Sequence, residues 1–197
     1  VNRLIKLGAA LLAGEAALAL GPRRVRRRRA FAAARLRARQ LGRPLVVVGA
    51  PGAGVVNAVV GRDYGCGDLC IDLRGCGDCD KAVTGRAEDV FQLIPDDSSV
   101  VFVSCTLEYV DDPVLIMAEL QRIAGPHVFV VCVEPLSLTA FLYPGAKRRI
   151  FRAPHGDGVE LLWKPLPWAA EAPAEAELRP WPPSRTEGKS TPSARPT

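Results

Sequence analysis

Acidic residues are missing from Arg23 to Arg43, a stretch that holds ten arginines. Aromatic residues make up only 6% of the chain, and Phe31 alone falls among those arginines. Single-strand nucleic-acid surfaces interleave basic with stacking side chains, so nucleic acid is not an expected partner. The two histidines, His127 and His155, lie at a strand start after Gly-Pro and in a Gly/Pro-rich loop. They are expected to be structural and solvent-exposed respectively. The glycine-rich run Gly49-Ala-Pro-Gly-Ala-Gly54 is followed by Val55-Val56, where a phosphate-binding loop carries lysine and a hydroxyl. Without those groups nothing holds phosphate and magnesium, which excludes a nucleoside triphosphatase. No internal repeat and no cleavable secretory signal is legible.

What is there divides into three parts: residues 1–43, 44–164 and 165–197. The first is a hydrophobic and Arg-rich anchor. Leu4 to Leu20 is Ala- and Leu-rich, interrupted by Lys6 and Glu15. Its length sits at the lower limit for a bilayer span, and a central Glu opposes insertion by roughly 2.5 kcal/mol. The basic block from Arg23 to Arg29 has the sign expected of a cytoplasmic flank. Residues 1–29 are therefore expected to associate with a membrane, with the rest of the chain cytoplasmic at its inner face. A helix packed on protein is the competing expectation. The net charge of +5 describes this arm, since the remainder is net acidic.

The second part reads as an α/β domain. Leu45–Val48 is a buried first strand ending at Gly49. Asp68–Leu73, Ala82–Thr84, Val100–Ser104 and His127–Glu134 follow as strands two to five. Pro113–Ile123 has the apolar spacing of an amphipathic helix. Strands alternating with helical patterns imply a parallel sheet covered on both faces. Ala140 to Phe151 is expected to be helix or loop, and Glu160 to Trp163 an edge strand. The third part holds eight prolines in 165–197 and is expected to be disordered. This tail and the N-terminal arm are also where a protein partner would dock.

The stretch from Gly85 to Gln121, GRAEDVFQLIPDDSSVVFVSCTLEYVDDPVLIMAELQ, resembles the middle of the class I, Rossmann-like methyltransferases that use S-adenosylmethionine. The family text is close to GDAEDLPFPDNSFDVVFSSHVLEHVDDP followed by a helix. The resemblance implies a Rossmann-like parallel-sheet methyltransferase fold, reduced and degenerate, and S-adenosylmethionine as cofactor. Transferred residue by residue, it places the methionine part of the cofactor over the turn of Gly49, Gly52 and Gly54. It places the ribose hydroxyls on Asp72 and the adenine side near Glu88 or Asp89, and counts Ser104 among the cofactor-binding residues. Tyr109, where the family often has His, becomes a substrate-pocket residue. Three departures stand out. Val47-Val48 replaces the usual acid before the glycine turn. Arg86 replaces the Asp that accepts from the adenine amino group, which arginine cannot do. Only Arg74 to Lys81 separates strands two and three, leaving no room for the usual helix. The family's Asn-Pro-Pro-Tyr-type motif for base methylation is missing after strand four.

Cys66-x3-Cys70-x5-Cys76-x2-Cys79 gathers four thiols. Ordinary thiols in a reducing compartment, a redox or disulfide pair, and structural zinc are the open readings. The spacing suits a strand better than a zinc knuckle, so no metal is expected. Cys105 and Cys132 fall in buried strands as small hydrophobes. The functional expectation is a methyltransferase-like protein acting on a small or lipid-associated substrate. The alternative is a catalytically inactive protein that keeps the fold for a structural or assembly role.

Overall fold

The computed structural model describes residues 2–51, 61–132, 147–150, 155–156 and 160–163. Two helices open the chain, α1 (Asn2–Leu20) and α2 (Pro22–Leu41). Then follow β1 (Leu45–Val48), β2 (Leu69–Asp72), β3 (Ala82–Thr84), α3 (Ala87–Phe91), β4 (Val100–Ser104), α4 (Pro113–Ala124) and β5 (Val128–Val131). The five strands form a parallel sheet in the order β3-β2-β1-β4-β5, extended by two residues of β7 (His155–Gly156) beside β5. This α/β architecture is compatible with a Rossmann-like domain. Strand order reverses between β1 and β4, so the two loops leaving them diverge and open a crevice at their C-terminal ends.

Period-two alternation splits the core into two layers. Val46 and Val48 of β1, Leu69 and Ile71 of β2, and Val101 and Val103 of β4 face α3 and α4. There they meet Phe91, Ile116, Leu120 and Ile123. Leu45, Val47, Cys70, Val100 and Phe102 face the opposite layer, made by Phe31, Ala34 and Ala38 of α2. Phe31, Tyr64 and Phe102 form an aromatic trio with centroids 5.0–5.9 Å apart. The composition boundary at Pro44 is thus not a structural one. Residues before it cover one face of the sheet.

The arginine block, expected from the sequence to flank a membrane segment, is used in large part inside the fold. Arg23 and Arg24 are buried. Arg24 donates to the carbonyls of Gly61 and Arg62, both at 3.0 Å, and Arg26 to that of Cys132 at 3.2 Å. Arg27 pairs with Asp63, whose side chain is fully buried. Among the described residues, no helix is long and apolar enough to cross a membrane.

α4 starts where local chemistry dictates. Asp112 accepts from the N–H groups of Val114 (2.8 Å) and Leu115 (3.2 Å), and Pro113 occupies the first turn. Such an N-cap satisfies helix donors that otherwise lack partners. One other expectation changes. Ala140 to Phe151 contributes a strand, β6 (Lys147–Ile150), because it pairs antiparallel with β8 (Glu160–Trp163) in a second, two-stranded sheet. The chain from 165 onward, expected to be disordered, lies outside the described residues, as do Gly52 and Gly54.

The four clustered cysteines are paired as Cys66–Cys79 and Cys70–Cys76. This replaces the expectation of ordinary free thiols at these four positions, because the fold brings the Cα atoms of the two pairs to 5.7 and 6.2 Å, within reach of a bridge. The bridges occupy the place where a helix between β2 and β3 is missing. Among the described residues, no group of three or more His, Cys, Asp or Glu side chains could hold a metal ion. Closing a loop of this size stabilises a fold by about 2–3 kcal/mol. Reduction with a dithiol is therefore expected to lower the melting temperature by several degrees, and metal chelation to leave it unchanged. An identical melt before and after reduction would contradict the pairing.

Candidate functional site

A cavity of about 710 Å³ opens at the C-terminal ends of β1, β2 and β4. Its size suits a cofactor or drug-sized ligand. Three segments wall it: the start of the glycine turn after β1, the stapled loop after β2, and the loops that follow β3 and β4.

Asp72, the last residue of β2, ties the first two walls together. Its Oδ2 accepts from the N–H of Ala50 at 3.0 Å, and its Oδ1 accepts from the N–H of Arg74 at 2.8 Å. Its main-chain carbonyl accepts from Gly75 (3.3 Å) and Gly85 (3.2 Å). Each carboxylate oxygen has a second lone pair, and Asp72 lines the cavity. Gly49 lies beneath the turn at φ +103°, a conformation that favours glycine. A Cβ there would meet the Ser104 carbonyl oxygen at 2.5 Å and Thr106 Oγ1 at 2.9 Å. The turn is therefore pressed against the end of β4, and only glycine permits that approach.

The stapled loop supplies Leu73, Arg74, Gly75, Cys76, Gly77 and Asp78 to the wall. Opposite, Arg86 donates to Asp111 Oδ2 at 2.9 Å and lies 3.7 Å from Glu88. It thereby bridges the start of α3 to the loop before α4. Arg62 pairs with Asp78 across another part of the rim. Four carboxylates, from Asp72, Asp78, Glu88 and Asp111, line the cavity with three guanidiniums, from Arg62, Arg74 and Arg86.

Cys105 and Tyr109 line the side nearest β4. Burial, reinforced by the charge of Glu108, pushes the Cys105 thiol up to about 11. It is a thiol and not a thiolate at neutral pH, so it is no ready nucleophile. Tyr64 is buried with its hydroxyl 3.3 Å from the Ala50 carbonyl. Burial raises its pKa, so it stays protonated. Neither group acts as a base.

Of the residues singled out in the sequence, Asp72, Glu88 and Tyr109 line one cavity. Gly49 and Ser104 touch each other beneath it. Asp89 is exposed on α3 and does not line the cavity. His127 accepts from Arg37 Nε at 3.4 Å, and burial together with Arg37 lowers its pKa. His155 is exposed and stacks on Phe129 at 5.1 Å. Both histidines stand away from the cavity lining. The sequence reading missed Thr106, Asp111 and the loop from Leu73 to Asp78. The clustered cysteines flanking that loop were the available signal.

No protein family, curated protein or solved structure matches the chain.

Proposed function

We propose that the cavity binds S-adenosylmethionine and that the domain is a reduced small-molecule methyltransferase. The observation that carries this reading is the position of Asp72. A carboxylate ends the second strand, beside the glycine turn that leaves β1, one strand from the point where strand order reverses. That is where a parallel α/β sheet presents an acid to ribose hydroxyls. The residues present fit such a ligand in size and charge. The lining is richer by one carboxylate than by guanidinium, which favours a sulfonium cation, and Asp72 keeps acceptor capacity on both oxygens.

S-adenosylmethionine supplies an electrophilic methyl group that an attacking atom takes as the thioether leaves. The chain's own residues hold and enclose. Asp72 would fix the ribose, the stapled loop would cover one side, and Tyr109 would face the acceptor. With Cys105 and Tyr64 both protonated, catalysis rests on positioning, which suits a substrate whose attacking atom is already nucleophilic.

A second reading has its own observation. Arg86 is held by Asp111 and Glu88, where the resemblance expects an acceptor for the adenine amino group. A guanidinium there occupies acceptors that the ligand needs. This favours a protein that keeps the fold for a structural or assembly role.

Calorimetric titration of the full chain with S-adenosylmethionine tests the proposal. One-to-one binding is expected. Arg86→Ala should tighten it about five- to tenfold, because the Asp111 and Glu88 carboxylates are released to accept from the ligand. The loss of stability should stay near 0–1 kcal/mol, since the ion pairs are largely exposed. No heat from either protein, both shown to be folded, would overturn the enzyme reading and leave the structural one.

A further inference from the structure

The outer surfaces of α1 and α2 play no part in the cavity or the core. On α1, large apolar side chains stand in solvent: Leu4 is 75% exposed, Leu12 63% and Ile5 62%. Leu7 and Leu11 are exposed as well. At 100° per residue, Leu4, Leu7 and Leu11 share one strip and Ile5 and Leu12 a second, with Glu15 falling between the two, while Asn2, Arg3 and Lys6 fall outside both. Five large apolar side chains exposed on one helix mark an interaction surface, one that Glu15 keeps shallow.

α2, which follows directly in the chain, carries charge on its outer face. Its inward arginines are committed: Arg24 and Arg26 to carbonyls, Arg27 to Asp63, Arg37 to His127. Arg28, Arg29, Arg35 and Arg39 are exposed and have no hydrogen-bond or ion-pair partner among the described residues. Exposed Val25 and Leu36 lie between them on the helix surface. No Asp or Glu occurs between Glu15 and Asp63, so no acid close in sequence neutralises these four charges.

We propose that α1 and the outer face of α2 form an interfacial docking surface for an anionic lipid bilayer. The apolar side of α1 would enter the headgroup–acyl boundary, and Arg28, Arg29, Arg35 and Arg39 would meet lipid phosphates and carboxylates. Apolar area plus basic charge on helices that do not span is the combination that membrane-surface helices use. Charge sign selects anionic over zwitterionic lipid. The open apolar face, which has no stacking aromatics, selects lipid over nucleic acid. This proposal differs from the anchor read in the sequence. Of the Arg23–Arg29 block only Arg28 and Arg29 remain for lipid, since the fold uses Arg24, Arg26 and Arg27 internally, and Arg35 and Arg39 further along the helix join them. It does not depend on what the cavity binds.

Vesicle co-sedimentation of the full chain tests it. The probes are phosphatidylcholine vesicles and vesicles with about 30% phosphatidylserine, each at low and high salt. Each arginine near an anionic surface contributes about fivefold in affinity. Wild type should therefore bind the anionic vesicles at least tenfold better than the neutral ones, and more weakly as salt rises. Replacing Arg28, Arg29, Arg35 and Arg39 together by Gln should reduce anionic binding by a hundredfold or more without changing the melting temperature. Leu7→Ser/Leu11→Ser should weaken binding to both vesicle types. Equal binding to neutral and anionic vesicles, or wild-type binding by the four-site variant, would overturn the proposal. So would vesicle binding that is absent while duplex nucleic acid is bound, or a solution dimer that buries α1.

Discussion

Arg27→Met should destabilise the protein by about 3–5 kcal/mol, the cost of leaving one partner of a buried ion pair uncompensated. Asp63 has a fully buried side chain, and its Oδ1 finds no hydrogen-bond partner among the described residues. Arg27 is therefore what makes that carboxylate tolerable. The same guanidinium lies 3.7 Å from the Cys105 sulfur, so it joins the α2 layer to the wall of the cavity. Removing both partners in Arg27→Met/Asp63→Leu should restore most of the loss, because no buried charge then remains. Urea unfolding of the two single variants and the double variant measures this. A loss below about 1 kcal/mol in Arg27→Met would show that α2 is an appendage and not a layer of the domain. A truncation ending at Arg29 should fail in the same way, since it removes Arg27 together with Arg24 and Arg26.

Asp72→Ala has two expected effects, which different measurements separate. It removes two charge-assisted acceptors that hold the N–H groups of Ala50 and Arg74. Each such bond contributes about 1.5–3 kcal/mol, with the lower end appropriate to a half-exposed site. Stability should fall by about 2–3 kcal/mol, more than a free loop acid would cost. Binding of S-adenosylmethionine should fall by about 10- to 100-fold, from the loss of one charged hydrogen bond and a loosened turn. Asp72→Asn keeps the shape and one carbonyl acceptor. It should recover part of the stability and little of the affinity. Unchanged affinity in Asp72→Ala, with the protein folded, would remove Asp72 from the proposed site.

Much of the sheet was legible because its signals are local. Leu45–Val48 and Val100–Ser104 are uninterrupted apolar runs of strand length, and Asp112-Pro113 announces a helix start. Asp72 is singled out through the family resemblance, and the structure puts it at the end of β2 on the cavity lining. The rest depends on groups far apart in sequence. Arginines in a run after an apolar segment read as a membrane flank until carbonyls at Gly61, Arg62 and Cys132 and the carboxylate of Asp63 are brought beside them. The cysteine spacing admitted zinc, disulfides or free thiols. Which sulfurs meet depends on how the chain from Cys66 to Cys79 folds back on β2, a tertiary arrangement. Lys147–Ile150, with three cationic residues in four, has no strand pattern of its own. Its pairing with Glu160–Trp163 is a tertiary contact.

Hydrogen exchange of the oxidised full chain, with and without saturating S-adenosylmethionine, tests the central claim most directly, because it reports binding and location together. The account predicts slowed exchange at Ala50, from Leu73 to Asp78, and from Gly85 to Glu88. It predicts no change on the outer face of α2. Exchange that is identical with and without ligand, or protection confined to segments away from this cavity, would contradict it.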